Sequence, residues 1–101
     1  MSIIHVTDDN FESEVLNSDV PVLLDFHATW CGPCKALAPV LEEVVADSDV
    51  KICKIDVDQA PSITKKYRIM SVPTLVVVKE GEAVSRVSGL KSKDEILDMM
   101  K

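Results

Sequence analysis

Apolar residues along the chain switch between a period of two and a period near 3.6, and the switches mark out its elements. SIIHV (2–6) reads as a short first strand. Thr7 and Asp8 offer N-caps for a helix with Phe11, Val15 and Leu16 on one side. PVLLDFHA (21–28) is nearly continuous hydrophobic sequence, the mark of a central parallel strand buried on both faces. From about Pro33, residues Leu37, Val40, Leu41, Val44 and Val45 follow the spacing of an amphipathic helix, with Pro39 inside it as an expected kink. VKICKIDV (50–57) is a third strand, and Pro61 opens a short helix with Ile63 and Tyr67 on one side. TLVVVK, then Glu80 and Gly81, then EAVSRVS read as an antiparallel hairpin turning at Gly81. Ser92 and Glu95 match a capping box, ahead of a last helix with Ile96, Leu97 and Met100 on its apolar face.

The order is therefore βαβαβ followed by α, β, β, α. Two parallel crossovers and then an antiparallel hairpin predict an α/β fold, a mixed sheet covered by helices on both faces. The chain has 101 residues, enough for one domain, expected to span 1–101 and to hold a core without metal or multiple disulfides. No repeat, linker or low-complexity tract interrupts it. No stretch is long enough to span a bilayer, and the start MSIIHVTDDN lacks a basic segment followed by an apolar run. A cytoplasmic protein is the expectation, with an organelle left open because a processed chain would look the same.

Charge acts here mainly by exclusion. The net charge is −6, and nucleic acid needs clustered Lys and Arg. The acidic residues are spread over several segments, as in a solvated surface. Cysteine usage is more telling. Three cysteines do not suit a disulfide scaffold, and in a reducing compartment a C-x-x-C pair is more often catalytic or metal-binding than structural.

In ATWCGPCKA (28–36), Cys31 falls where a strand gives way to a helix, and Cys34 lies one turn in. The partial positive charge and free N–H groups of a helix N-terminus stabilise a thiolate. Side chains at i and i+3 are close enough to bring two sulfurs within bonding reach. One thiol is thus expected to be activated and exposed, with the second poised to attack any mixed disulfide it forms. Pro33 suits the first helical turn, where its missing N–H does no harm. A zinc site would need two further ligands. Cys53 and His27 complete the count on paper, but Cys53 lies in an interior strand and the spacing matches no common zinc module. Neither a metal nor a cofactor is expected. Asp25, a carboxylate inside VLLDF, should be desolvated, with a raised pKa that makes it a candidate proton acceptor near neutral pH. The plainer alternative is a strand Asp satisfied by a backbone or Lys partner.

DFHATWCGPCK resembles the active-site segment of the thioredoxin family, and SVPT (71–74) and Gly89 resemble two further elements of it, in order and at the right spacing over about residues 2–100. W-C-G-P-C-K is highly specific where C-x-x-C alone is not. The resemblance implies a thioredoxin-like three-layer α/β/α sandwich and a protein-disulfide reductase. In that role Cys31 is the nucleophile, Cys34 the resolving thiol, Asp25 the group that helps deprotonate it, and Lys54 the neighbour of that carboxylate. The resemblance also implies a cis bond before Pro73, against the general preference of X-Pro bonds. That geometry leaves the Val72 backbone to pair with an extended substrate segment. Trp30, Gly32, Pro33, Val72, Pro73 and Gly89 would form a shallow apolar docking surface. The implied partners are a thioredoxin reductase and disulfide-containing proteins, with the chain itself a monomer.

Three positions depart from the family pattern. His27 stands where an aromatic, often Trp, is usual, and strand alternation puts it on the same side as Asp25. An imidazole there exchanges protons with the site or simply hydrogen-bonds to it. Met70 and Ser71 replace a different side chain and a glycine of many relatives, which bears on partner choice. Met70 and Tyr67 otherwise read as packing, Cys53 as a small core residue, and nothing links His5 to the chemistry. Two other functions compete. Oxidases and isomerases of this kind usually carry His in place of Pro33, so Gly-Pro favours reduction. A binding module with an incidental dithiol would keep its binding after Cys31→Ser and Cys34→Ser, whereas turnover would be lost.

Overall fold

The computed structural model describes residues 2–101. Strand β1 (Ser2–Val6) leads to a π-helical segment (Glu12–Leu16), β2 (Val22–His27), α1 (Gly32–Asp47) and β3 (Lys51–Asp56). Then come α2 (Pro61–Lys66), β4 (Thr74–Lys79), β5 (Glu82–Ser88) and α3 (Lys93–Met99), the order that the hydrophobic pattern predicts. The strands form one mixed sheet, ordered β1-β3-β2-β4-β5. β1 and β2 run parallel to β3, while β4 is antiparallel to β2 and to β5. The central place of β2 explains its composition: Val22 through Phe26 are all buried, Asp25 included.

Alternation along the strands divides the core into two layers. Leu24, Phe26, Cys53, Ile55, Val76 and Val78 meet Val15 of the π-helical segment and Ile63 of α2. Leu23, Ile52, Leu75 and Val77 meet Leu37, Leu41 and Val44 of α1 and Ile96 of α3. Cys53 is a fully buried free thiol in the first layer. Tyr67 packs there as well, its ring edge-on to Phe11 with centroids 6.0 Å apart.

Local signals close the elements. Glu80 (φ 51°) and Gly81 (φ 81°) both take the left-handed conformation that a tight two-residue hairpin turn requires. The Ser92 hydroxyl accepts from Glu95 N–H while the Glu95 carboxylate accepts from Ser92 N–H, the expected capping box. Thr7 and Asp8 do not cap the helix they precede. The Thr7 hydroxyl closes a turn on the Asp9 N–H, and the π-helical segment starts without a side-chain cap. Asp8 Oδ1 instead accepts the Ile63 N–H at 3.3 Å, in the first turn of α2. Ala60 at the N-cap of α2 has no side-chain oxygen to offer, so an aspartate 55 residues before Ile63 in the chain supplies its cap.

Candidate active site

β2 ends at His27, and a short link delivers Cys31 to the carboxyl ends of the parallel strands, where open α/β sheets place their ligands. Cys31 is the N-cap of α1, extended at φ −94° and ψ 113°, and its sulfur accepts the Cys34 N–H at 3.1 Å. The first turn of α1 carries no acidic residue. A thiolate at Cys31 therefore meets an N–H donor and the positive end of a helix, with no carboxylate of that turn opposing it. Cys31 and Cys34 form a disulfide, their Cα atoms 5.3 Å apart.

The expectation that Cys31 is exposed does not hold. It is 5% exposed, close to Cys34 at 7%, because the joined cysteines pack with Ala28 and against Val57 and Val72. Exposure belongs to their neighbours: Gly32 and Pro33 at the helix start, and Trp30 at 68%. The Trp30 indole N–H donates to Asp58 Oδ2 at 2.9 Å, which fixes the ring beside the dithiol without burying it.

The Val72–Pro73 bond is cis, and Cys31 Sγ lies 3.6 Å from the Val72 carbonyl oxygen. Gly89, at φ 92°, donates its N–H to the Pro73 carbonyl at 2.9 Å. Pro73 itself is buried, so it shapes the docking surface more than it lines it. The exposed apolar surface is a groove of about 150 Å³ between Trp30 and Val72, walled by Val57, Ile69 and Met70. Met70 is 94% exposed, so it is no packing residue; it lies in the link between α2 and β4, outside both core layers. Val57, Ile69 and Asp58 join the site unannounced by any motif. Each reads as an ordinary residue until α2 folds back beside β2.

Behind the dithiol, parallel register sets Asp25 beside Lys54 and His27 beside Asp56. Asp25 is 2% exposed, and its Oδ1 has no hydrogen-bond partner among the described residues. Burial pushes its pKa up from 3.8 to about 6, with Lys54 pulling it part of the way back. That is the desolvated carboxylate expected from VLLDF, with Lys54 beside it in register. Burial first, and then Lys54, holds the half-buried His27 below its ordinary pKa, with Asp56 acting against them. His5, which no sequence signal ties to the site, sits in register with Lys54, and its charge lowers His27 further. A groove of about 250 Å³ opens on this side, lined by His27, Thr29, Cys34, Lys35 and Lys54.

The thioredoxin family model matches residues 2–101. The chain belongs to the thioredoxin family. A thioredoxin of Staphylococcus epidermidis is 50% identical over 102 residues, covering 99% of this chain and 96% of the relative. One of Mycobacterium tuberculosis is 47% identical over 96 residues, covering 93% and 83%. Among solved structures, a point-mutant thioredoxin of Halobacterium salinarum matches with a TM-score of 0.89 at 36% identity, over 98% of this chain and 88% of that one. Family and paired cysteines together make the chain a dithiol–disulfide oxidoreductase, a protein-disulfide reductase. Membership of the family implies, in general terms, disulfide-bearing proteins as substrates and a reductase as electron donor. Among the described residues no helix is long and apolar enough to cross a membrane.

Proposed function

We propose that Cys31 is the nucleophile and Cys34 the resolving thiol of this reductase. The observation that carries the assignment is the 3.1 Å bond from Cys34 N–H to Cys31 Sγ at the N-cap of α1. It supports Cys31 as the sulfur whose negative charge the helix would stabilise. In the reduced protein the Cys31 thiolate attacks one sulfur of a substrate disulfide and holds it as a mixed disulfide. An extended substrate segment pairs with the Val72 backbone, and its side chains rest on Trp30, Gly32 and Pro33 and in the groove shaped by Pro73 and Gly89. Asp25 takes the proton of Cys34, and the Cys34 thiolate then attacks Cys31 Sγ. The substrate leaves reduced, and the Cys31–Cys34 disulfide remains. Lys54 limits the rise in the Asp25 pKa, keeping most of that carboxylate ionised at neutral pH. A thioredoxin reductase returns two electrons to the disulfide. The chain does this as a single domain over residues 1–101, as a cytoplasmic monomer, with no metal, cofactor, nucleic acid or membrane taking part.

The test is turnover of a disulfide-bonded substrate protein with dithiothreitol as donor. Cys31→Ser should be inactive, whereas Cys34→Ser should accumulate a mixed disulfide at Cys31, visible by mass. Turnover surviving Cys31→Ser would end the nucleophile assignment. A redox titration of the wild type distinguishes the direction of use: a strongly reducing two-thiol transition supports the donor role, and a much more oxidising one supports disulfide formation or shuffling.

A further inference from the structure

The mechanism leaves one proton without a way out. Asp25 is buried, and its Oδ1 has no donor among the described residues. A proton that this carboxylate receives from Cys34 must reach water before the next turnover. His27 follows two positions later on β2, and alternation sends both side chains to the α1 face of the sheet. His27 is half-buried where Asp25 is buried, and it lines the same groove as Cys34. It is thus the titratable group of β2 standing between the carboxylate and solvent.

We propose that His27 is the proton exit of the resolving step, accepting at the groove the proton that Asp25 takes from Cys34 Sγ–H and delivering it to solvent. The inference rests on Cys34 being the resolving thiol. The step balances without a further reactant. A bond forms between Cys34 Sγ and Cys31 Sγ while the bond from Cys31 Sγ to the substrate sulfur breaks. The electron pair leaves on that substrate sulfur, which takes a proton from solvent. The two cysteines are oxidised and the substrate disulfide is reduced. The Cys34 proton moves to Asp25, to the imidazole and to water, so Asp25 and His27 end as they began. His27 acts through Asp25 and is a positioning residue in this scheme.

The groups facing the imidazole fit the task. Lys54 and Asp56 act on it from β3 and His5 from β1, Lys35 of the first turn of α1 lines the same groove, and Asp25 shares its face of β2 by alternation. Burial and Lys54 keep the ring below its ordinary pKa of 6.5, so it is neutral at about pH 7 and able to accept a proton. As pH falls, Asp25 becomes protonated around about 6 and His27 becomes cationic as well, and either change closes the route. The acid limb of the resolving rate therefore carries two ionisations.

Stopped-flow mixing of the reduced protein with an excess of an aromatic disulfide separates the two steps. A second-order phase reports attack by Cys31, and a first-order phase reports resolution by Cys34. In His27→Ala the first-order phase should slow roughly tenfold at about pH 7 in dilute buffer, less than the roughly 10²–10⁴-fold of direct general acid–base catalysis because Asp25 still takes the Cys34 proton, with the second-order phase unchanged. Its acid limb should lose one ionisation, and added imidazole should restore the rate in proportion to its free base. His27→Phe keeps the bulk of the side chain and should be equally slow without rescue. An unchanged first-order phase in both variants overturns the proposal. So does a slowed phase in His27→Ala that imidazole does not restore and whose acid limb keeps its steepness, since that marks packing alone. A wild type with no first-order phase fails one level lower, at the assignment of Cys34 as the resolving thiol.

Discussion

Asp25→Asn should gain stability relative to the wild-type oxidised protein as pH rises from acid to neutrality. The carboxylate is 2% exposed, and burial raises its pKa from 3.8 in the free group to about 6 in the folded chain, net of the opposing pull of Lys54. Below 3.8 the group is protonated in folded and unfolded chains alike and contributes nothing. Between 3.8 and about 6 the folded chain holds a proton that the unfolded chain has lost, so stability falls as pH rises. Above about 6 both states are ionised, and the deficit is constant. At about 1.36 kcal/mol per pKa unit it amounts to ~3 kcal/mol. That is a large share of the roughly 5–15 kcal/mol that holds a domain of this size folded. Asparagine cannot ionise, so its advantage over the wild type should grow by about that amount between about pH 4 and about pH 8. The assay is urea unfolding followed by circular dichroism across that range, both proteins oxidised and at one ionic strength. A buried amide without partners costs about 1–3 kcal/mol, but it displaces every point equally and leaves the pH dependence intact. A difference flat to within about 0.5 kcal/mol over that range would refute the raised pKa. The case for Asp25 as a proton acceptor near neutrality would fall with it.

Met70→Glu should raise KM about fivefold for a peptide disulfide flanked by apolar residues and leave kcat unchanged, since it removes ~1 kcal/mol of partial side-chain burial, less than the value for full burial. An unchanged KM would show that substrates do not reach the wall of the groove formed by Met70. Asp8→Ala should cost about 1 kcal/mol in urea unfolding by removing the cap that reaches Ile63 from outside α2. Hydrogen exchange at the Ile63 amide reads the same contact directly, and unaltered protection there would remove Asp8 as the cap.

The parts of the molecule that were legible in the chain are those governed by neighbours in sequence. Spacing placed Leu37, Leu41 and Val44 in one core layer because a helix repeats regardless of what it packs against. Glu80 and Gly81 announced the hairpin because a left-handed pair between two apolar runs has few other uses. Asp25 was legible too: a carboxylate inside a continuous apolar run on a central strand has to leave water, whatever covers it. What escaped was set by residues far apart in the chain. Cys31 is buried because Val57 and Val72 arrive from other elements. Asp8 serves α2 instead of the helix beside it because Ala60 leaves an N–H unmet 55 residues away.

His27 stands on the border between these cases. Alternation alone places it on the side of Asp25, yet its reach to Cys34 depends on α1 folding over the end of β2, which no local pattern encodes. A strand position that in isolation reads as exchanging protons with the site or hydrogen-bonding to it thereby lines the same groove as Cys34. The physical demand behind this is general for a buried acceptor. Desolvation raises a carboxylate's proton affinity into the useful range, and the same burial separates it from the solvent that must finally take the proton. A fold that buries Asp25 is then served by a half-buried group at the carboxyl end of the same strand, and in this chain the side chain at that position is an imidazole held below its ordinary pKa.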